Sequence, residues 1–551
     1  MQKKSFKFLA ITLVVLMAIS MFAACGGQST PPASSSTAST TESSAASDSE
    51  SSEALPAEFP LSKISVEVFD RANENGTDPT NNYWTDWIKE NALNDLNLEV
   101  EFVNVPRSEE IPQLNVLMAG GNPPDIVFTY TQSVAYNFYK QGGLADLTDA
   151  IDQYAPTMKS YLGEDILYYG QFDGRQYMVP AKRISLATYN TFMRKDWLDK
   201  LGLEVPKNME EFYNALVAFK EHNPGGVEKV IPYSMQQTGS NTGNIIDSFV
   251  EHSTMTEEEI FVQGIGLANI STHFLYPGYK EGIRFLNKLY NEGLLDQEFA
   301  LYSSFSEVED LVMRGQVGAW ASNYDSPIRT SPGVYNQLTG NVPDAEIVVL
   351  DCFINVADGS HARQIYSPNG IFNFVPASSK NVEGAVRYMD WLCRDDVRTM
   401  LVCGEEGVNH TKDENGIPVM INLQNDPKMM NSPNNLDYAM IVNGVDLGDQ
   451  EKNLLAISKS YEEKYVDWFM KAYEIGLHDG LVYNRLNIPF EAEAQYMTTL
   501  NEKRLEITTN AIAASVDNFD RTYDAGIQEF LAVGGQACID ERQAYWDANM
   551  K

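Results

Sequence analysis

Histidine and cysteine are scarce in this chain, and acidic residues outnumber basic ones almost two to one. Among 551 residues there are six His, five Cys, 40 Lys plus Arg and 76 Asp plus Glu. No His begins an H-E-x-x-H run, none neighbours another along the chain, and no C-x-x-C pair occurs. That removes the local signatures of zinc sites and thiol redox centres. The nucleophile turn G-x-S-x-G and the phosphate loop G-x-x-x-x-G-K-[ST] are also missing. Gly264 and Gly266 begin a G-x-G but lack the third Gly of a dinucleotide loop. A net charge of −36 repels phosphate backbones and anionic lipid, so nucleic acid and charge-driven membrane binding are excluded as partners. Beyond residue 24 no run of about 18 apolar residues occurs, so nothing later in the sequence reads as a membrane span. Four cysteines besides Cys25 (Cys352, Cys393, Cys403 and Cys538) are too few for a disulfide framework, although one bridge between Cys393 and Cys403 stays open.

What is present begins at the first residue. Lys3, Lys4 and Lys7 precede an apolar stretch from Phe8 to Ala24. Small residues then lead to Cys25. A basic head, an apolar run and a small-residue cut site make an export signal. The Cys after Ala23-Ala24 resembles a bacterial lipoprotein signal, with Phe22 where Leu is preferred. The resemblance implies cleavage after residue 24 and lipid on Cys25, so the protein would be held on the outer face of the cell membrane. Residues 26–57 are Ser/Thr/Ala-rich and have almost nothing to bury, which predicts a flexible tether.

From Phe59 the pattern changes. Ile64, Val66 and Val68 alternate with polar residues, as in a strand. Trp84, Trp87, Ile88 and Ala92 share a helical face. Leu98, Val100 and Phe102 alternate again, Ile111 to Met118 is helical up to Gly120-Gly121, and Asp125–Phe128 is a short apolar strand. This β-α-β-α-β order predicts a parallel sheet with helices on both faces. Ligands then bind beyond the carboxyl ends of its strands. Asp173-Gly174 predicts a hairpin turn, and Pro180 the end of the following strand. Helices are predicted after Asn208 (a capping box with Glu211), over Tyr279–Asn291, after Asn381, and through most of the chain beyond Leu454.

Six segments in order resemble the sugar-binding lipoprotein solute receptors of bacterial ABC importers, in their large Gram-positive branch. They are Leu117-Met-Ala-Gly-Gly-Asn-Pro-Pro-Asp-Ile-Val127, Gly142-Gly-Leu-Ala-Asp-Leu147, Asp173-Gly-Arg-Gln-Tyr-Met-Val-Pro180, Arg194-Lys-Asp-Trp-Leu-Asp-Lys-Leu-Gly-Leu203, Leu289-Tyr-Asn-Glu-Gly-Leu-Leu-Asp296 and Met313-Arg-Gly-Gln-Val-Gly318. The resemblance implies an α/β, periplasmic-binding-protein-like type II fold: two lobes, three interlobe crossings and a helical C-terminal extension. Carried over, the crossings fall near Pro180–Ile184, Gly318–Ser322 and Gly370–Phe374. Lobe one would take 60–182 plus 321–369, and lobe two 184–318 plus 371–551. It further implies no catalytic step and no cofactor. The partners would be a small-molecule ligand, read as an oligosaccharide, and the permease subunits with their ATPase. The chain would act as a monomer.

A sugar cleft needs flat aromatic faces for C–H groups and planar polar groups for hydroxyls. At crossings and strand ends the candidates are Trp320, Tyr324, Tyr130, Gln132, Arg183, Asn73, Asn75, Tyr83, Gln237, Tyr366 and Asn369. Arg183 could grip hydroxyls or a uronate carboxylate in bidentate fashion; an interlobe salt bridge is the equal alternative. Packing under a hinge is the alternative for Trp320 and Tyr324. Trp84, Trp87, Trp197 and Trp391 read as core. Asp413-Glu-Asn-Gly416 weakly resembles a calcium loop, but Gln424 stands where the closing Glu belongs, so it reads as a β-turn, and no metal is expected. A surface glycoside hydrolase and a peptide receptor remain as alternatives.

Overall fold

The computed structural model describes residues 59–70, 78–236, 244–266, 273–302, 304–329, 333–421, 437–482, 487–488 and 490–551. Cys25, Asn73, Asn75 and Gln237 lie outside these residues, as do the signal and the tether. Among the described residues no helix is long and apolar enough to cross a membrane.

Ten strands build the sheets of two lobes: a two-stranded and a four-stranded sheet in the first, and a four-stranded sheet in the second. They are β1 (Ser62–Asp70), β2 (Leu98–Pro106), β3 (Val127–Thr129), β4 (Met178–Arg183), β5 (Tyr189–Arg194), β6 (Ile231–Ser234), β7 (Val317–Asn323), β8 (Ile347–Leu350), β9 (Asn369–Phe374) and β10 (Val442–Asn443). In the first lobe β1 and β2 are parallel, and a parallel bridge from Val66 to Ile126 sets β1 beside the entry to β3. Strand β9 runs antiparallel between β3 and β4, and β10 adds parallel to β4. In the second lobe the order is β8-β5-β7-β6. Alternation in β1 and β2 works as expected: Ile64, Val66, Val68, Val100 and Phe102 are buried.

Local signals explain the helices. Asn82 caps the Tyr83–Leu96 helix, and Asn381 caps Val382–Leu392. Asn208 accepts from the Glu211 amide at 2.9 Å, but the Glu211 carboxylate reaches the Lys207 amide, one residue earlier than the expected box. The Asp173-Gly174 hairpin forms, with φ of 50° and 75°. In the Pro-Pro-Asp segment, Asp125 accepts from Ser65 of β1 and from Ser379, tying three stretches together.

Two expectations are corrected. Pro180 lies inside β4 rather than at its end. Alternate amides of β4 point toward the 441–443 segment, from Lys182 to Ile441 O and from Ile184 to Asn443 O. Pro180 is in the same phase but precedes that pairing, so its missing N–H costs nothing. The lobe boundaries also move. Gly318–Ser322 is no crossing: Val317–Ser322 are all buried in β7, which is paired on both sides. Strand β8 pairs with β5, so 321–350 belongs to the second lobe. Strand β9, the helices Val382–Leu392 and Asp395–Cys403, and β10 join the core of the first. There Trp391 stacks on Trp87 at 5.8 Å. The observed crossings are 184–188, 365–368 and the segment after Asn443.

The C-terminal helices pack mainly on the second lobe, where Ile507 and Phe519 join its core. The Glu491–Ala513 helix nevertheless reaches the first lobe at its first turn. Asn137 Nδ2 donates to Ala494 O at 2.9 Å, and Lys140 pairs with Glu491 at 2.6 Å.

Candidate binding site between the sheets

Arg183 is the last residue of β4. Its amide donates to Pro368 O at 2.8 Å, Ile184 N donates to Asn443 O at 3.0 Å, and Tyr366 N donates to Leu186 O at 2.9 Å. The three crossings therefore run side by side at this residue.

The Arg183 guanidinium lies over the Tyr366 ring, 4.4 Å from its centroid. The hydroxyls of Tyr130 and Tyr189 are the other groups that face its charge, and Tyr189 hydrogen-bonds Tyr366. Burial pushes the Arg183 pKa down and the Tyr189 pKa up. Gly370 makes room: a Cβ there would stand 3.2 Å from Arg183 Nη2 and 3.4 Å from Asn443 Nδ2. The side chain of Arg183 has no hydrogen bond and no acid partner among the described residues, and its Nε is buried. Asn369 Nδ2, on the adjoining start of β9, is also buried and unpaired, while its Oδ1 accepts from Ser367 at 2.5 Å. The site thus presents donors without acceptors, beside aromatic faces. Isolated buried donors are costly unless an acceptor arrives.

Of the expected residues, Arg183, Tyr366, Tyr130 and Asn369 meet here. Tyr130 also stacks on Phe69 at 6.2 Å, and Arg107 lies over its ring at 4.6 Å. Gln132 starts a helix and donates to Tyr169 O at 2.9 Å. Tyr83 donates to Glu405 at 3.2 Å and packs edge-on against Trp84.

Trp320 is corrected. It is 0% exposed in the middle of β7, with Phe192 at 5.5 Å, so no face is open to a ligand. Tyr324 takes the packing role. It is 8% exposed among Phe469 and Tyr473, and its hydroxyl accepts from Ser185 of the first crossing at 3.0 Å. Burial pushes its pKa up.

Tyr189 and Asn443 were missed. Tyr189 stands at the start of β5, just past the first crossing, where position alone could have found it. Asn443 lies at a crossing that no motif marks. Asp413 is held by Lys459 and accepts from the Asn415 and Ile417 amides, a hairpin turn as expected. The four cysteines among the described residues are free and buried, so Cys393 and Cys403 are not bridged.

A family model described as bacterial extracellular solute-binding protein matches residues 78–398. The polygalacturonan/rhamnogalacturonan-binding protein YtcQ of Bacillus subtilis is 22% identical over 467 residues, covering 81% of this chain and 85% of that one. The fructooligosaccharide ABC transporter substrate-binding protein FusA of Streptococcus pneumoniae is 23% identical over 325 residues, 54% of each chain. Among solved structures, the alginate-binding protein AlgQ2 without calcium ion superposes with a TM-score of 0.62 at 18% identity, over 88% of this chain and 98% of that one. The fold is shared with that structure.

Proposed function

The chain belongs to the bacterial extracellular solute-binding proteins, and on that premise we propose that it captures an oligosaccharide between its two lobes and delivers it to an ABC permease. It performs no chemistry on the ligand. The observation that carries this reading is the Arg183 group: a guanidinium with no acid partner among the described residues, held on Tyr366 with Tyr130, Tyr189, Asn369 and Asn443 around it. Tyrosine rings suit the C–H faces of a sugar, and the planar cation suits paired hydroxyls or a carboxylate. A charge left unanswered among the described residues favours an acidic sugar, and the naming of YtcQ as a polygalacturonan/rhamnogalacturonan-binding protein supports the same class. Bridging contacts from both lobes would select the closed arrangement. Export under the N-terminal signal and a lipid on Cys25 would keep the receptor near its permease and raise its effective concentration there.

The test is a thermal-shift screen of the purified chain against neutral oligosaccharides, oligogalacturonides and short peptides, with each mixture analysed afterwards for cleavage. A ligand at a hundred times its Kd adds about 2.7 kcal/mol. A shift with an oligogalacturonide recovered intact supports the reading. A shift with peptides alone, or a cleaved glycan, overturns it.

A further inference from the structure

On the second lobe, away from β4, two histidines that the sequence keeps far apart come together. Arg363-Gln364 pairs in parallel with Gly480-Leu481, Arg363 opposite Gly480. Continued two residues back, that register sets His361 opposite His478, and their rings lie 4.9 Å apart. Asp479, at φ 49°, begins the turn into the short strand.

The hydrogen bonds of the two rings are restrictive. His361 Nε2 lies 2.9 Å from the Cys352 carbonyl, which can only accept. Cys352 Sγ stands 3.4 Å from the same nitrogen. The other, Nδ1, lies 2.7 Å from Asp479 Oδ2, which also accepts. A neutral imidazole donates from one nitrogen only, so donation to both oxygens needs a second proton on the ring, and an ion taken up at Nδ1 after a small turn of the side chains would answer the carboxylate in its place. His478 repeats the arrangement. Its Nδ1 lies 2.5 Å from Asp351, and its Nε2 lies 3.8 Å from the same Asp479 oxygen. Metal-bound histidines have this outer support, one nitrogen on the ion and the other N–H on a carbonyl or carboxylate. The donor atoms of His361, His478 and Asp479 all lie within 4.8 Å of one another. His478 and Asp479 are more than half exposed, which gives an ion an entry path and the side chains freedom to turn.

We propose that His361 Nδ1, His478 Nε2 and Asp479 Oδ2 form a binding site for a divalent transition ion, Zn2+ by donor type, with water completing the coordination. Asp351 and the Cys352 carbonyl orient the two rings. The ion would clasp the turn after the Val466–Leu477 helix to the segment that leads into the 365–368 crossing. The site is independent of the sugar reading.

The experiment is a calorimetric titration of the untagged, metal-stripped chain with ZnCl2 in excess Mg2+, with Co2+ substituted to read the visible spectrum of the bound ion. The expected result is one ion per chain and an imidazole-type Co2+ spectrum. His478→Gln should weaken binding at least about a hundredfold, and Asp351→Asn about tenfold to a hundredfold. Circular dichroism should show both variants folded, since neither position is in a core. No saturable uptake at one equivalent, or uptake unchanged in both variants, overturns the site.

Discussion

Two consecutive strands of this chain, one in each lobe, each end in an arginine, and the two are treated in opposite ways. Arg194, at the end of β5, is 1% exposed and meets Asp196 through paired bonds of 2.7 and 2.8 Å. Arg183, at the end of β4, meets tyrosine rings and no acid among the described residues. The other fully buried arginines resemble the first in having an oxygen each: Arg363 donates to Ile475 O at 2.8 Å, and Arg504 to Asn501 Oδ1 at 2.9 Å. A structural arginine is answered within the fold. Under the proposed function, the one left open is the one that meets the ligand.

The largest effect expected from this contrast is on stability. Asp196→Ala strands the Arg194 charge and should cost about 3–5 kcal/mol in urea unfolding, with ligand affinity in the surviving folded fraction unchanged. Arg183→Met should do the reverse. Stability should hold or rise, because a buried charge is replaced by an apolar side chain, and affinity should fall by about 2 kcal/mol or more, roughly thirtyfold. Calorimetry and unfolding on the same two variants separate the roles; if both lose stability alike, the contrast fails.

The comparison extends to an acid. Glu67, buried in β1, accepts from the Phe128 amide and has its pKa pushed up to about 8 by burial. The folded chain therefore holds this proton to higher pH than the unfolded chain does. Between about pH 5 and pH 8, stability should fall as pH rises, by up to about 1.4 kcal/mol per pH unit from this group. Glu67→Gln should flatten that slope in a pH series of melts. The smallest effect is expected at the ring beneath Arg183. Tyr366→Ala should cost about 1 kcal/mol of binding through the lost cation–ring contact, and Tyr366→Phe less.

How much of this could be read from the chain depends on whether the signal is local. The first five elements are legible because β1 and β2 alternate, the helix between them shows an apolar face, and Gly120-Gly121 closes the helix that follows β2. That Arg183, Tyr130 and Tyr366 come together was legible because strand ends and crossing segments converge there. Trp320 misled because β7 is buried on both faces, so an aromatic at its centre has no open side, whatever family position it resembles. The lobe boundaries failed for the same reason: an apolar strand was taken for a hinge. Asn443 and the His361–His478 pair depend on β pairing between segments distant in sequence, and no spacing rule reports that.

The contact between the Glu491–Ala513 helix and the first lobe has a mechanical meaning. A helix of 23 residues is a rod about 34 Å long. Most of its length is fixed to one lobe, while its foot is tied to the other through Asn137 and Lys140. Any rotation between the lobes must part those two ties or drag the rod with them. An opening of the proposed cleft that kept both ties would therefore swing the rod with the first lobe, as a lever, and move the far end of the C-terminal helices.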